Sequence, residues 1–295
     1  MKFTKLVIFA ISAILLQSCV DAIEIELPPV NEKIVVEGGI EEGGYPYVFL
    51  TINTPYFEQI DTMTLINMLI MDAEVTVSDG TDTVQLNPDI DVWRFPYFVY
   101  RSQDMIGESG KTYYLNIEAN DTKVSARTII PESVPIDSIW FDLNTDSDSL
   151  GFIWFTFKDP DTLGNFYRVF SKTLGKDSIF VSMFYSTIED KIINGAADNR
   201  IRVYRGSNDE IDDEEDEDRW YFMIGEKVVI KFCTIDAIHF NFWDSYQNDR
   251  GTLGNPFAAA TYIQSNIEGN GLGIWGGYGV FQEVFEVKID TTILE

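Results

Sequence analysis

The 295 residues carry 48 Asp and Glu against 21 Lys and Arg, a formal net charge of −27. Such a surface repels phosphate backbones, which excludes nucleic acid as a partner, and it gains nothing by charge from anionic lipid. A single histidine removes multi-histidine metal centres, and no metal or other cofactor is expected.

In chain order, Met1 to Lys5 is a short basic segment and Leu6 to Leu16 an uncharged apolar run. That run has the length of a signal-peptide core and is too short to span a bilayer. Leu16-Gln17-Ser18-Cys19 follows, with a large apolar residue three before a cysteine and a small residue just before it. This resembles the lipobox read by lipoprotein signal peptidase; the lesser alternative is an ordinary secretory signal with Cys19 incidental. Residues 1–18 are therefore expected to be removed and Cys19 to be acylated. Several acyl chains, at about 0.8 kcal/mol per buried methylene, make a firm membrane anchor. Residues 19–31, with Pro28 and Pro29, read as an extended tether.

Beyond the tether, short β-type runs are separated by turn residues. Strands are expected at 33–40, 46–54, 73–78, 82–86, 112–119 and 122–130, with hairpins at Asp79-Gly80-Thr81 and Asn120-Asp121. Tyr113, Leu115 and Ile117 alternate with Tyr114, Asn116 and Glu118, the mark of a half-buried strand. Residues 62–71 read as a short helix or a buried loop. Pro131 to Pro135 reads as a joint, after which strands are expected at 136–143, 151–158, 165–173, 178–186, 200–205, 226–235 and 279–289. Residues 236–247 are the best helix candidate, capped by Asp236, with Ile238, Phe242, Trp243 and Tyr246 near one face. The fold class is thus mainly β: two antiparallel β-sandwich-like domains, at 32–131 (immunoglobulin- or fibronectin-like) and 136–290, with a short helix in the second.

Motifs that could carry chemistry are weak. Gly107 to Thr112 invites a phosphate-loop reading, but Met105 stands where that motif needs glycine and a strand pattern follows. Gly271-Leu272-Gly273-Ile274-Trp275-Gly276 satisfies G-x-G-x-x-G without a βα unit around it. Its glycines are read first as allowing unusual backbone angles or close approach of another chain around Trp275 and Tyr278. The lesser reading is a partner or ligand contact through Gly271, Gly273, Trp275, Gly276, Gly277 and Tyr278. The acidic run Asp212 to Asp218 reads as a solvated loop, with Ca²⁺ capture the lesser alternative. His239 is expected to be a packed or surface side chain, and Cys233 a buried inert thiol. Carboxylates are so abundant that no single pair stands out for hydrolysis.

Several segments form an ordered set: Cys19 with its preceding residues, Ile25-Glu26-Leu27-Pro28, Ile34-Val35-Val36-Glu37-Gly38, Tyr47-Val48-Phe49-Leu50-Thr51 and Asp72-Ala73-Glu74-Val75-Thr76-Val77. Gly110-Lys111-Thr112-Tyr113, Val134-Pro135-Ile136-Asp137-Ser138, Asn165-Phe166-Tyr167-Arg168, Gly254-Asn255-Pro256-Phe257 and Ser265-Asn266-Ile267-Glu268-Gly269 complete it. Taken in order, they resemble DUF4249, a family of unknown function from Bacteroidota envelopes. The resemblance implies a lipoprotein of the outer membrane, and members look like neighbours of TonB-dependent receptors. Acidic residues after Cys19 resemble surface-export signals, implying a position facing the cell exterior. The family brings no catalytic residues.

The expectation is a non-enzymatic binding or accessory subunit of a TonB-dependent nutrient-uptake receptor, held on the membrane by its N-terminal lipid. The alternatives are a carboxylate-dependent surface hydrolase and a structural or adhesive surface lipoprotein.

Overall fold

The first strands among the described residues are an antiparallel pair, β1 (Ile34–Glu41) and β2 (Tyr47–Ile52). A short helix follows, α1 (Thr62–Met68), whose cap Asp61 accepts from the Thr64 amide at 2.8 Å. Then come β3 (Glu74–Ser78), β4 (Thr83–Ile90), β5 (Phe98–Arg101), β6 (Thr112–Ala119) and β7 (Thr122–Ile129). The second half holds β8 (Ser138–Leu143), β9 (Leu150–Phe157), β10 (Phe166–Thr173), β11 (Val181–Glu189), β12 (Asn199–Val203), β13 (Phe222–Met223) and β14 (Lys227–Ile235). Helix α2 (Ala237–Thr252), β15 (Glu268–Gly269) and the long β16 (Gly271–Glu286) complete it. The computed structural model describes residues 31–54, 61–196, 198–206, 217–252 and 262–289. The signal peptide expected at 1–18, Cys19, and most of the acidic run at 212–218 lie outside them.

The protein is mainly β and sandwich-like. A twelve-stranded sheet runs β11-β10-β14-β16-β1-β2-β5-β4-β3-β6-β7-β15, and a four-stranded sheet carries β12, β9 and β13 with β8 on β9. Strands β1 to β7 wrap a first core of Val36, Val48, Val75, Leu86, Leu115 and their neighbours. The alternating strand β6 sends Tyr113, Leu115 and Ile117 into it. The second core lies between the two sheets, with Phe155 and Phe157 of β9 against Tyr167 of β10 and Phe232 of β14. A third, smaller cluster packs Phe240 of α2 on Cys233, Ile235 and Tyr278.

The two cores come largely from the two halves of the chain. The larger sheet takes strands from both. Strand β16 pairs parallel with β1, Val36 opposite Gly273 and Gly38 opposite Trp275, and its later residues pair antiparallel with β14. Trp275, from the second half, is fully buried in the first core and donates its indole N–H to the Tyr113 carbonyl at 3.2 Å. The described residues from Glu32 onward accordingly form one compact unit.

Helix α2 starts where expected, with the His239 amide on the Asp236 carboxylate at 2.8 Å. Its buried face differs from the expected one. His239, Phe240 and Gln247 are buried, whereas Ile238 is exposed. Phe242, Trp243 and Tyr246 instead pack on one another along the flank.

Candidate functional site

On β1 the pleat sends Ile34, Val36 and Ile40 into the first core and turns Glu37 and Glu41 to the opposite face. On β2 it does the same with Val48 and Leu50 against Tyr47 and Phe49. The chain from β4 to β5 folds over this outer face. Its turn is closed by the Asp91 amide on the Tyr97 carbonyl at 2.9 Å and the Tyr97 amide on the Arg94 carbonyl at 2.7 Å. The Asp91 carboxylate accepts from the Trp93 amide at 3.1 Å. Arg94 points inward: its guanidinium lies 4.9 Å from the Tyr47 ring and 4.7 Å from the Phe49 ring, and 3.4 Å from Glu37. Cation–π contact and the ion pair together pin the hairpin to the sheet.

Under this hairpin is a cleft of about 400 Å³. Tyr45, Tyr47 and Phe49 form its aromatic wall. Asp89, Asp91, Arg94, Arg101 and Gln103 supply polar groups, with Glu41 beside them. Asp89 pairs with Arg101 at 2.6 Å. The Ile90 amide and then the Arg101 guanidinium hold the Asp89 carboxyl below the usual carboxylate range. Glu41 takes the buried Lys231 ammonium at 2.7 Å. The outer side of the hairpin is apolar: Ile90, Val92, Trp93, Phe95 and Tyr97 are 43% to 65% exposed.

Behind the Tyr47 wall sits a buried polar network. Gly39, where a Cβ would stand 3.2 Å from both the Tyr278 ring and the Tyr47 hydroxyl, lets those two side chains approach. Arg168 donates to the Tyr278 hydroxyl and to Ser186 Oγ, each at 3.2 Å, and lies 3.6 Å above the Trp243 ring. The Ser186 amide donates to Gln247 Oε1 at 2.6 Å. His239 packs edge-on against Tyr278, with Nδ1 3.3 Å from the Gly277 carbonyl. Cys233 is buried, as expected, and burial pushes its thiol up to about 12.

Burial, and then the Arg168 charge, lower the His239 pKa to about 3. The fold therefore favours neutral imidazole, and the unfolded chain binds the proton more readily. The stability this contributes is complete above the unfolded value of 6.5 and is lost as pH falls from there toward about 3. Between pH 6 and pH 4, denaturant titrations are expected to show the wild type losing up to about 1.4 kcal/mol per pH unit more than His239→Gln. Carboxylates titrate in both chains and cancel in the difference. Parallel pH curves for the two proteins would contradict the neutral, buried histidine.

The glycine and aromatic segment from Gly271 to Tyr278, weighed as a partner or ligand contact, lies inside the protein. Gly271, Gly276, Gly277, Trp275 and Tyr278 are buried and Gly273 is half-buried. The glycines serve close packing within the chain. A Cβ on Gly276 would meet the His239 ring at 2.2 Å, and one on Gly277 the Ile129 carbonyl at 2.2 Å. Burial leaves these residues little surface for the partner or ligand contact read there. Tyr278 lies behind the Tyr47 wall without lining the cleft. Gly107 to Thr112 is a turn entering β6, with Lys111 paired to Glu108 and Asp79. Asn144 to Ser149 closes the β8–β9 hairpin. Among the described residues, no group of three His, Cys, Asp or Glu is placed to hold a metal ion. Asp159 and Asp190, the most buried carboxylates among the described residues, tie down loops: Asp159 accepts from the Tyr167 hydroxyl and the Gly195 amide, and Asp190 from the Gly164 and Asn165 amides.

Residues 89–103 escaped the sequence reading altogether. The available signal was the run Ile90 to Tyr97, where five apolar or aromatic residues alternate with Asp91, Arg94 and Pro96. No curated protein matches the chain. The family model described as a domain of unknown function, DUF4249, matches residues 20–283. That match covers the cleft, the hairpin over it and the network behind it, and the chain belongs to the DUF4249 family.

Proposed function

We propose that this protein is an outer-membrane lipoprotein, anchored through Cys19 and facing the cell exterior, that serves a TonB-dependent nutrient receptor as a non-enzymatic binding subunit. The hairpin docks on the receptor, and the cleft beneath it retains the ligand. The observation that carries this reading is the pairing of the two. Ile90 at the end of β4 and four apolar side chains on the turn after it stand exposed above a preformed cleft. An exposed apolar cluster containing Trp, Phe and Tyr is the composition of a protein-contact hot spot. The N-terminal pattern ending at Cys19 supports the anchor. A carboxylate hydrolase fits the cleft less well, since a general acid needs a raised pKa and Asp89 is shifted down.

Capture of the tagged, lipidated protein from its own outer membrane in mild detergent, followed by mass spectrometry, tests the proposal. A TonB-dependent receptor is expected in stoichiometric amount. The double variant Trp93→Ala, Phe95→Ala should recover at least tenfold less of it. Both side chains are about half exposed, so each change should move stability by no more than about 0.5 kcal/mol. Wild-type protein recovered alone, or capture untouched by the double variant, would count against the proposal.

A further inference from the structure

We infer that the cleft under the hairpin binds a neutral oligosaccharide, recognised at one end by the Tyr45 ring and by hydroxyl contacts to Asp89, Asp91, Arg101 and Gln103. The inference rests on reading the cleft as a ligand site and names what that site takes.

Charge comes first. The charged side chains lining the cleft are largely neutralised already: Arg101 by Asp89, Arg94 by Glu37 and Glu41 by Lys231. Asp91 is engaged in its own turn through the Trp93 amide. A free anion would have to displace a carboxylate from an arginine, and the chain as a whole is strongly acidic. A free cation would compete with two guanidinium groups. An uncharged ligand meets neither obstacle.

The polar groups come second. A carboxylate has about four lone-pair sites and a guanidinium five N–H donors, so an ion pair leaves several of each unused. Asp89 and Arg101 are half exposed, and their open sides flank the cleft. Planar groups of this kind match pairs of neighbouring hydroxyls, acceptor to one and donor to the next. Gln103 adds both functions without charge.

The ring comes third. Tyr45 is 45% exposed at the cleft, whereas Arg94 covers Tyr47 and Phe49. An exposed aromatic face is electronegative and attracts the C–H face of a sugar ring. A purely apolar ligand would leave the polar half of the lining unsolvated and unpaired, which is unfavourable. A volume of about 400 Å³ is at the small end for a ligand pocket, suited to the terminus of a chain rather than its length.

The test is calorimetric titration of the full-length protein, held in an alkyl polyoxyethylene detergent so that no sugar headgroup competes. The probes are neutral gluco-, xylo-, manno-, galacto- and N-acetylglucosamine oligosaccharides, at low and at high salt. At least one is expected to bind with an affinity that changes less than twofold with salt, because no net charge is exchanged. Tyr45→Ala should weaken it at least tenfold and Gln103→Ala at least threefold. Tyr262→Ala, removing an exposed aromatic outside the cleft, should leave it unchanged. No binding by any of these sugars, or binding that Tyr45→Ala leaves intact, overturns the inference. Because the titration contains no receptor, failure here is separate from failure of the receptor capture.

Discussion

Replacing Gly273 by alanine is expected to cost about 4 kcal/mol and to lower the melting temperature by about 10 °C. Gly273 has φ +113, a backbone conformation that a side chain rarely adopts. It also lies opposite Val36 in the parallel pairing of β16 with β1, where a Cβ would stand 1.9 Å from the Val36 carbonyl oxygen. That oxygen belongs to a strand held on both sides, by β2 and by β16, and its neighbours Ile34 and Ile40 are sealed in the first core. It has nowhere to retreat. Strain at a forbidden φ and overpacking each contribute about 1–3 kcal/mol, and here they act together. Gly43→Ala separates them. Gly43 has φ +72 with nothing within 4 Å of an added Cβ, so that variant should cost about 1 kcal/mol. The comparison by urea denaturation is direct. Equal losses for the two variants would mean that β1 and β16 do not approach as closely as the pairing requires.

The same strand marks the limit of what local pattern reveals. Hairpins were legible because their turns announce themselves: Asn120 and Asp121 adopt φ 49 and 59, as a two-residue turn demands, and β6 and β7 follow the alternation on either side. The parallel pairing of residues 34–41 with 271–278 has no such signal, because nothing near either segment names its partner. Local pattern therefore marks the prolines after β7 as a joint, and shows the glycines of β16 without the strand that needs them. The buried face of α2 was missed for a related reason. Its inward positions are His239 and Gln247, polar residues whose burial depends on Gly277 and Ser186 from distant strands. The cleft was missed because its turn at 91–97 contains no glycine, and Tyr97 takes φ 68 without one. Trp93 and Phe95, rings large enough to join a core, are held at the surface instead.

Glu41→Gln is expected to cost about 3 kcal/mol, while Lys231→Met is expected to change stability by less than about 1 kcal/mol. The asymmetry follows from where each partner sits. The Lys231 side chain is 7% exposed and Glu41 27%, with 2.7 Å between ammonium and carboxylate. Burial pulls the Lys231 pKa down, but the surrounding charges outweigh it and keep the ammonium above the ordinary lysine range. The Phe170 and Phe180 rings, 4.9 and 4.5 Å from the nitrogen, assist it. Neither ring can replace a counter-charge. Removing the carboxylate strands a cation away from water, and the loss appears as lower stability. Removing the lysine leaves a carboxylate at the cleft, where water reaches it, and methionine fills the vacated apolar channel. The double variant should then resemble Lys231→Met alone, since the stranded charge is gone. Three urea titrations measure all of this. If Lys231→Met proves the costlier single change, the ammonium is contributing more than a tolerated buried charge. If the ordering holds, Glu41 owes its charged, fixed position at the cleft to a lysine behind the sheet, and the polar side of the cleft is organised before any ligand arrives.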